Sequence, residues 1–191
     1  MTRRPHTGRR RNEAAREAIW DAILELAGQG DPAALSIEAI AAASGVGKQT
    51  IYRWWPSKGA LLLEMMVERA RLEVPAVDTG TLVGDLREFL TATFRAVSDE
   101  ANSSVLRSVM AEAQKDAHLA EVLREFTAGR RRSLHEIFQR GQKRGEPAPD
   151  ADLDLLVDQA YGLLWYRIMI GHAPLTPAVA GRLAEHLAGG P

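Results

Sequence analysis

A short run of polar side chains from Lys48 to Arg53 carries hydrogen-bonding groups that suit nucleic acid. Gln49 can make a paired contact with adenine, and Thr50 can bond a base edge or pack its methyl group on thymine. Lys48 can reach a guanine or a phosphate, and Tyr52 can donate its hydroxyl to a phosphate. These residue types predict a surface that reads bases and holds phosphates.

Two short helices joined by a tight turn must position this run. The turn is Ser44-Gly45-Val46, where Gly45 can adopt a left-handed conformation. Such a turn sets the second helix at a large angle to the first, so that the second can enter a major groove. Gly47 lets the N-terminus of that helix approach the DNA backbone. Ser36 and Lys58, at the starts of neighbouring helices, are candidate phosphate contacts. The candidate DNA-binding residues are Ser36, Gly47, Lys48, Gln49, Thr50, Tyr52, Arg53 and Lys58.

Spacing alone leaves other interpretations open. Short helix pairs with a glycine turn also occur in α-proteins that bind no DNA, and we interpret Trp54 and Trp55 as packing residues rather than base-stacking ones. The first twelve residues hold five arginines and no acidic residue. Such an arm is either a solubilising tail or a segment that follows phosphates or enters a minor groove.

Over about fifty residues, the chain resembles the N-terminal domain of the TetR family of transcriptional regulators. The matching elements are an amphipathic helix ending near Gly30, the segment Ser36-Ile37-Glu38-Ala39-Ile40-Ala41, the segment Ser44-Gly45-Val46-Gly47-Lys48-Gln49-Thr50-Ile51-Tyr52, and Pro56-Ser57-Lys58 followed by Leu61-Leu62. The chain departs from the family at Trp54-Trp55, where a smaller aromatic residue and Phe are common. It also has Gly59 where an acidic residue is common, and this glycine is expected to loosen the first turn of helix 4.

The resemblance implies a homodimer that binds a palindromic double-stranded DNA operator. Its two recognition helices would occupy successive major grooves, about 34–36 Å apart. A small-molecule effector would shift the dimer towards a spacing that no longer fits both half-sites, which is usually repression relieved by ligand. Repression and activation are not distinguished by the residues themselves.

Helical periodicity extends through the whole chain. We predict helices at about 12–27, 37–44, 48–54 and 58–72, and then near 81–99, 103–114, 118–141, 151–171 and 176–188. The predicted fold is therefore all-α, with an N-terminal three-helix helix-turn-helix DNA-binding domain and a C-terminal helical bundle for ligand binding and dimerisation. The first domain, with the basic arm, is assigned to residues 1–60 and the second to residues 61–191.

Apolar and aromatic side chains of the bundle predict a pocket for an apolar or aromatic molecule. The candidate lining residues are Met66, Phe89, Phe94, Met110, Phe126 and Trp165. Each of them is also a candidate core residue. The run Arg130–Arg132 is interpreted as a solvated face, with a ligand carboxylate or a second DNA contact as alternatives. We predict no metal site and no cofactor, because the histidines lack the spacing of metal ligands.

Helix 8 is apolar nearly all round, so a partner subunit is expected to cover one of its faces. By resemblance, the last two helices of each subunit form the dimer contact. The candidate interface residues are Leu155, Leu163, Tyr166, Ile170, Leu183 and Leu187.

Composition excludes several classes of protein. The chain has 191 residues, no cysteine and a net charge of −1, so it cannot form a disulfide or use a thiolate. It shows neither a signal peptide nor an apolar run long enough to cross a membrane, which predicts a cytoplasmic protein without a membrane partner. An α-helical enzyme using Asp85, Glu112 or His118 lacks a nucleophile–base pair, phosphate loop or metal motif. We therefore predict no enzymatic activity. A protein-interaction module with a vestigial helix-turn-helix is disfavoured by the polar run itself.

Overall fold

The computed structural model describes residues 7–29, 34–73, 78–146 and 148–189, and every regular element within them is an α-helix. The helices are α1 (Thr7–Gly28), α2 (Ile37–Ser44), α3 (Lys48–Trp54), α4 (Lys58–Glu73), α5 (Leu82–Ser98), α6 (Glu100–Ala113), α7 (Ala117–Lys143), α8 (Leu153–Ile170) and α9 (Pro177–Leu187). The all-α prediction is confirmed. In the described part of the chain, none of the helices combines the length and apolar character needed to cross a bilayer.

Two helix starts differ from the sequence prediction. Helix α1 begins at Thr7, ahead of the expected cap at Asn12. Helix α6 begins at Glu100 instead of near residue 103, because the Asp99 carboxylate caps it by accepting the Ala101 and Asn102 N–H groups at 2.8 and 3.2 Å. Of the basic arm, Arg3 and Arg4 lie outside the described residues, as does the predicted break at Pro32.

A first core cluster joins the N-terminal helices to the bundle. Ile23 of α1, Ile40 of α2 and Ile51 of α3 are fully buried in it, together with Val109 of α6 and Leu119 of α7. Helices α1 and α6 pack directly on each other. The cluster thus extends across residue 60, and the division of the chain at that point stays a prediction.

A second core cluster holds α5, α7, α8 and α9 together. Phe89, Phe94 and Phe138 are its largest buried side chains. Helix α9 lies against α5 and buries Leu183 and Leu187 there.

A buried carboxylate, Asp85, closes the end of the bundle away from α3. Its Oδ1 accepts the Thr79 N–H at 2.6 Å and the Thr79 hydroxyl at 2.8 Å, and its Oδ2 lies 3.0 Å from the Arg144 guanidinium. Arg140 of α7 is 3.8 Å from the same oxygen. Burial alone would raise the pKa of Asp85, but the Thr79 hydrogen bonds and the Arg144 charge together hold it below its usual value. The carboxylate therefore joins the start of α5 to the end of α7 as an anion.

Candidate nucleic-acid interface and effector cavity

The helix-turn-helix is formed by α2, the turn at residues 45–47 and α3. Ser36 caps α2, since its hydroxyl accepts the Ala39 N–H at 3.2 Å. Gly45 has a φ of +68°, the left-handed conformation that the turn requires. Ile51 is fully buried, and it fixes the face of α3 that packs on α1 and α2.

The opposite face of α3 points to solvent. Lys48, Gln49, Tyr52 and Arg53 are exposed, and Thr50 is half-buried. Tyr52 keeps 51% of its surface accessible, so its ring and hydroxyl are available at this surface. Gly47 is the exposed N-cap of α3 and offers no side chain that would block the helix N-terminus. The structure thus brings the candidate base-reading side chains together at one exposed surface.

An acidic side chain of α2 lies beside this surface. Lys48 Nζ is 2.7 Å from Glu38 Oε1, and both side chains are exposed. The hydrogen bond and charge of Lys48 lower the pKa of Glu38. The pair leaves the start of α3 without a net negative charge that would repel phosphates.

Trp54 and Trp55 pack, as interpreted from the sequence. Trp55 is buried, meets the Trp54 ring edge-on at 5.5 Å between centroids, and donates its Nε1–H to Glu64 Oε2 at 2.8 Å. Arg16 of α1 pairs with the same carboxylate and lies over the Trp55 ring. This group of side chains ties α1, α3 and α4 together.

The start of α4 contacts the bundle. Lys58 is half-buried, and its Nζ lies 2.8 Å from Glu112 of α6. Gly59 is buried, and a β-carbon there would lie 2.3 Å from Leu119 Cδ2 and 2.9 Å from Glu112 Oε2. Gly59 therefore does more than loosen the first turn of α4: its missing side chain lets α4 approach α6 and α7 closely.

A cavity of about 110 Å³ lies between α4, α5, α6, α7 and α8. Met66, Phe126 and Trp165 from the sequence prediction line it, whereas Phe89 and Phe94 are buried in the second core cluster and Met110 packs on the first. The full lining consists of Met65, Met66, Thr93, Ala96, Val97, Asn102, Val105, Leu106, Phe126, Thr127, Arg130, Tyr161, Leu164 and Trp165. The lining is mainly apolar, as in sites that bind small organic molecules.

Two polar side chains of this lining, Arg130 and Tyr161, were not among the expected lining residues. The Arg130 guanidinium bonds the Thr93 hydroxyl at 3.1 Å, and the Tyr161 hydroxyl donates to the Arg130 carbonyl oxygen at 3.0 Å. A helical-wheel inspection of α7 that placed Arg130 on the same side as Phe126 would have indicated the first of them. Within the described residues, no group of three His, Asp or Glu side chains is arranged to hold a metal ion.

The candidate dimer residues fall into two groups. Leu155, Tyr166 and Ile170 of α8 are more than half exposed, and Leu163 is half-buried against the second core cluster. Leu183 and Leu187 instead lie inside that cluster, because α9 turns its apolar face towards α5. The exposed apolar surface is therefore on α8.

Two family descriptions match the chain in succession. Residues 19–65 match "Bacterial regulatory proteins, tetR family", and residues 76–187 match "Tetracyclin repressor-like, C-terminal domain". The first match contains α2, α3 and the start of α4, and the second contains most of the cavity.

Individual proteins give the same result. The HTH-type transcriptional regulator YdeS of Bacillus subtilis is 30% identical over 164 residues, covering 85% of this chain and 82% of its own. The crystal structure of the TetR family transcription regulator SCO0332 is 34% identical, with a TM-score of 0.70, and the match covers 93% of this chain and 98% of that one. FadR from Bacillus subtilis, solved in complex with stearoyl-CoA, is 20% identical and shares the fold at a TM-score of 0.72, over 92% of this chain and 98% of that one. The chain belongs to the TetR family of helix-turn-helix transcriptional regulators.

Proposed function

We propose that the chain is a repressor that binds a palindromic operator as a homodimer and leaves it when a small apolar or aromatic molecule enters the cavity. The observation that carries this proposal is the exposed face of α3, where Lys48, Gln49, Tyr52 and Arg53 stand clear of the core. Side chains of these types pair with base edges and phosphates in a major groove. Ser36, Thr50 and Lys58 are proposed to add contacts at the edges of this surface.

Two copies of α3 must be held about one helical turn of DNA apart to read a palindrome. The proposed contact between copies is the exposed apolar face of α8, formed by Leu155, Tyr166, Met169 and Ile170. Exposed apolar side chains clustered on one helix favour association with a matching surface. A symmetric dimer brings the same face of each copy together.

Helix α4 supports the proposed release by ligand. Met66 lines the cavity and also packs against both core clusters. Gly59 and Lys58 lie seven and eight residues earlier in the same helix, which is roughly 10–12 Å along its axis. A molecule that displaces Met66 therefore acts on the helix that directly follows the helix-turn-helix in the chain. The stearoyl-CoA complex of FadR supports the idea that this fold can hold a small molecule that carries an acyl chain.

Selection of bound duplexes from a random DNA library tests the proposal. The full chain should enrich a palindrome whose half-sites lie about one turn apart. Absence of enrichment by folded protein would count against α3 as the reading element. Transcription from a promoter carrying the selected palindrome then separates repression from activation, because a repressor lowers the basal signal and an activator raises it.

A further inference from the structure

Among the described residues that line the cavity, the charged side chain is that of Arg130. Its charge is positive, and none of these described lining residues carries a negative one. The surrounding side chains include Met66, Phe126, Leu164 and Trp165, whose apolar surfaces solvate a cation poorly. A guanidinium in such surroundings is stabilised by hydrogen-bonding or charged partners.

The partners of Arg130 are neutral. The Arg130 Nη2 lies 3.1 Å from the Thr93 hydroxyl oxygen, and its guanidinium carbon lies 5.5 Å from the centre of the Phe89 ring. In the described part of the chain, no Asp or Glu forms an ion pair with it. A guanidinium has five N–H donors in a planar fork. The Thr93 bond and the nearby Tyr161 hydroxyl, which also interacts with the Arg130 side chain, leave the other N–H groups of the fork available to a ligand.

Neighbouring arginines of α7 differ from Arg130 in this respect. Arg131 pairs with Asp158 and lies 3.7 Å from Asp154, both on α8. Arg132 is exposed to solvent. In this run, Arg131 is thus paired with carboxylates and Arg132 lies in solvent, whereas Arg130 faces the cavity without a carboxylate partner among the described residues.

Tyr161 does not neutralise the charge. Its hydroxyl donates to the carbonyl oxygen of Arg130 at 3.0 Å, so its proton is engaged. Burial raises the pKa of Tyr161, and the hydroxyl stays neutral at physiological pH. The positive charge of Arg130 therefore remains for an incoming group.

We propose, building on the proposed function, that the cavity binds a small apolar acid whose carboxylate pairs with the Arg130 guanidinium. The planar fork of arginine matches the two oxygens of a carboxylate, and the partly dry surroundings strengthen such a pair. The apolar body of the acid lies against Met66, Phe126 and Trp165. The volume of about 110 Å³ is of the same order as the roughly 150 Å³ of an apolar cavity that holds a benzene ring, so the acids to be tested are small, with a single ring or a short chain.

Matched acids and amides test this inference on the full chain. The probes are benzoate, phenylacetate and 3-phenylpropionate, each beside its uncharged primary amide. Binding is measured by calorimetric titration and by the shift in melting temperature. At least one acid should bind about tenfold or more tightly than its amide, because charge-assisted hydrogen bonds are about twice as strong as neutral ones.

Three variants identify the responsible side chain. Arg130→Gln should lose the preference for acid over amide, while Arg130→Lys, which keeps the charge without the fork, should retain part of it. The matched control is Arg132→Gln, which removes an exposed arginine two residues away and should bind like the unaltered chain. Circular dichroism melting of each variant without ligand shows whether it is folded.

The inference is overturned if no acid of the series binds, if acid and amide bind alike, or if folded Arg130→Gln keeps the preference. These measurements do not involve DNA, so they test the carboxylate contact independently of the proposed binding to an operator. If the amides released the protein from its operator as readily as the acids did, the proposed carboxylate contact would be wrong. The proposal of a repressor that responds to a ligand would still stand.

Discussion

Gln49 is the side chain on which base selection by α3 should depend most. It is exposed on the first turn of the helix, and its amide can donate and accept at once. Gln49→Ala should lower discrimination at one position of each half-site by about 1–3 kcal/mol, the value of a paired base contact. Comparing the duplexes enriched by the variant and by the unaltered chain measures this loss.

Gln139→Ala is the matched control for Gln49→Ala, because Gln139 is an exposed glutamine on α7. The control should select the same sequences as the unaltered chain. If Gln49→Ala also selected them unchanged, base reading would have to be assigned to other residues.

Two glycines within helices should respond oppositely to alanine. At Gly59 a β-carbon would come within 2.3 Å of Leu119, a buried core residue. Overpacking costs about 1–3 kcal/mol, and the better helix propensity of alanine returns up to about 1 kcal/mol. Gly59→Ala should therefore lower the free energy of unfolding by about 1–2 kcal/mol, as measured in urea.

Gly129 of α7 is the reference for this comparison, since a β-carbon there meets nothing within 4 Å. Gly129→Ala should raise the free energy of unfolding by up to about 1 kcal/mol. Equal effects of the two substitutions would show that the approach of α4 to α7 is not limited by Gly59.

For individual residues, the sequence was informative where the role of a side chain follows from its residue type. The polar run after Gly47 and the packing of Trp55 could be predicted from residue types and spacing. The four-residue spacing places Arg130 on the same side of α7 as Phe126, but whether that side faces a cavity depends on how α7 is rotated against α5 and α8. A run of three arginines on a long helix is compatible with solvent on every side until that rotation is known.

At the scale of elements, Asp85 connects the start of α5 to the end of α7. The bonds from Thr79 and Arg144 keep the pKa of Asp85 below its usual value of 3.8. A depressed folded-state pKa contributes stability that is present above the unfolded pKa and is lost as pH falls through the folded one. Asp85→Asn should therefore lower the free energy of unfolding at pH 7 by about 2 kcal/mol, in the range of hydrogen bonds to charged groups.

The pH dependence separates charge from packing. The difference between Asp85→Asn and the unaltered chain in urea unfolding should be constant above about pH 5 and shrink below about pH 4. Asp150→Asn, at an exposed turn, should show little difference at any pH. A difference for Asp85→Asn that persisted at pH 3 would mean that the carboxylate acts through its shape and not its charge.

Helix existence was predictable across the described chain, and helix ends were less so. The periodic apolar residues indicate each helix, but the start of α6 depends on Asp99 acting as its cap. The neighbour of the apolar face of α9 was also not predictable, because Leu183 and Leu187 could pack either against a partner subunit or against α5. The structure shows that α5 is their neighbour. The periodicity of apolar residues predicts which face of a helix is buried, but it does not predict which element covers that face.

At the scale of the whole molecule, the exposed face of α8 predicts the state of association. Ile170 is 62% exposed and makes a cleaner test than the half-buried Leu163, because a change there leaves the chain's own core intact. Ile170→Glu should shift the proposed dimer to monomers in analytical ultracentrifugation, since it places like charges opposite each other in a symmetric contact.

Ala42→Glu supplies the matched control, with the same new charge on the exposed side of α2. It should sediment as the unaltered chain does. A dimer that survives Ile170→Glu would place the contact between copies away from this end of α8.

The first core cluster has a consequence for how the chain can be divided. Val105, Val109 and Leu119 belong to the bundle in sequence, yet they bury side chains of α1 and α4. A chimera that joins residues 1–60 to the bundle of another regulator must therefore bring matching side chains at those three positions. Without them, α1 would keep an uncovered apolar face. The transplanted helix-turn-helix domain would then be unstable in the chimera, so it could not be exchanged freely between regulators.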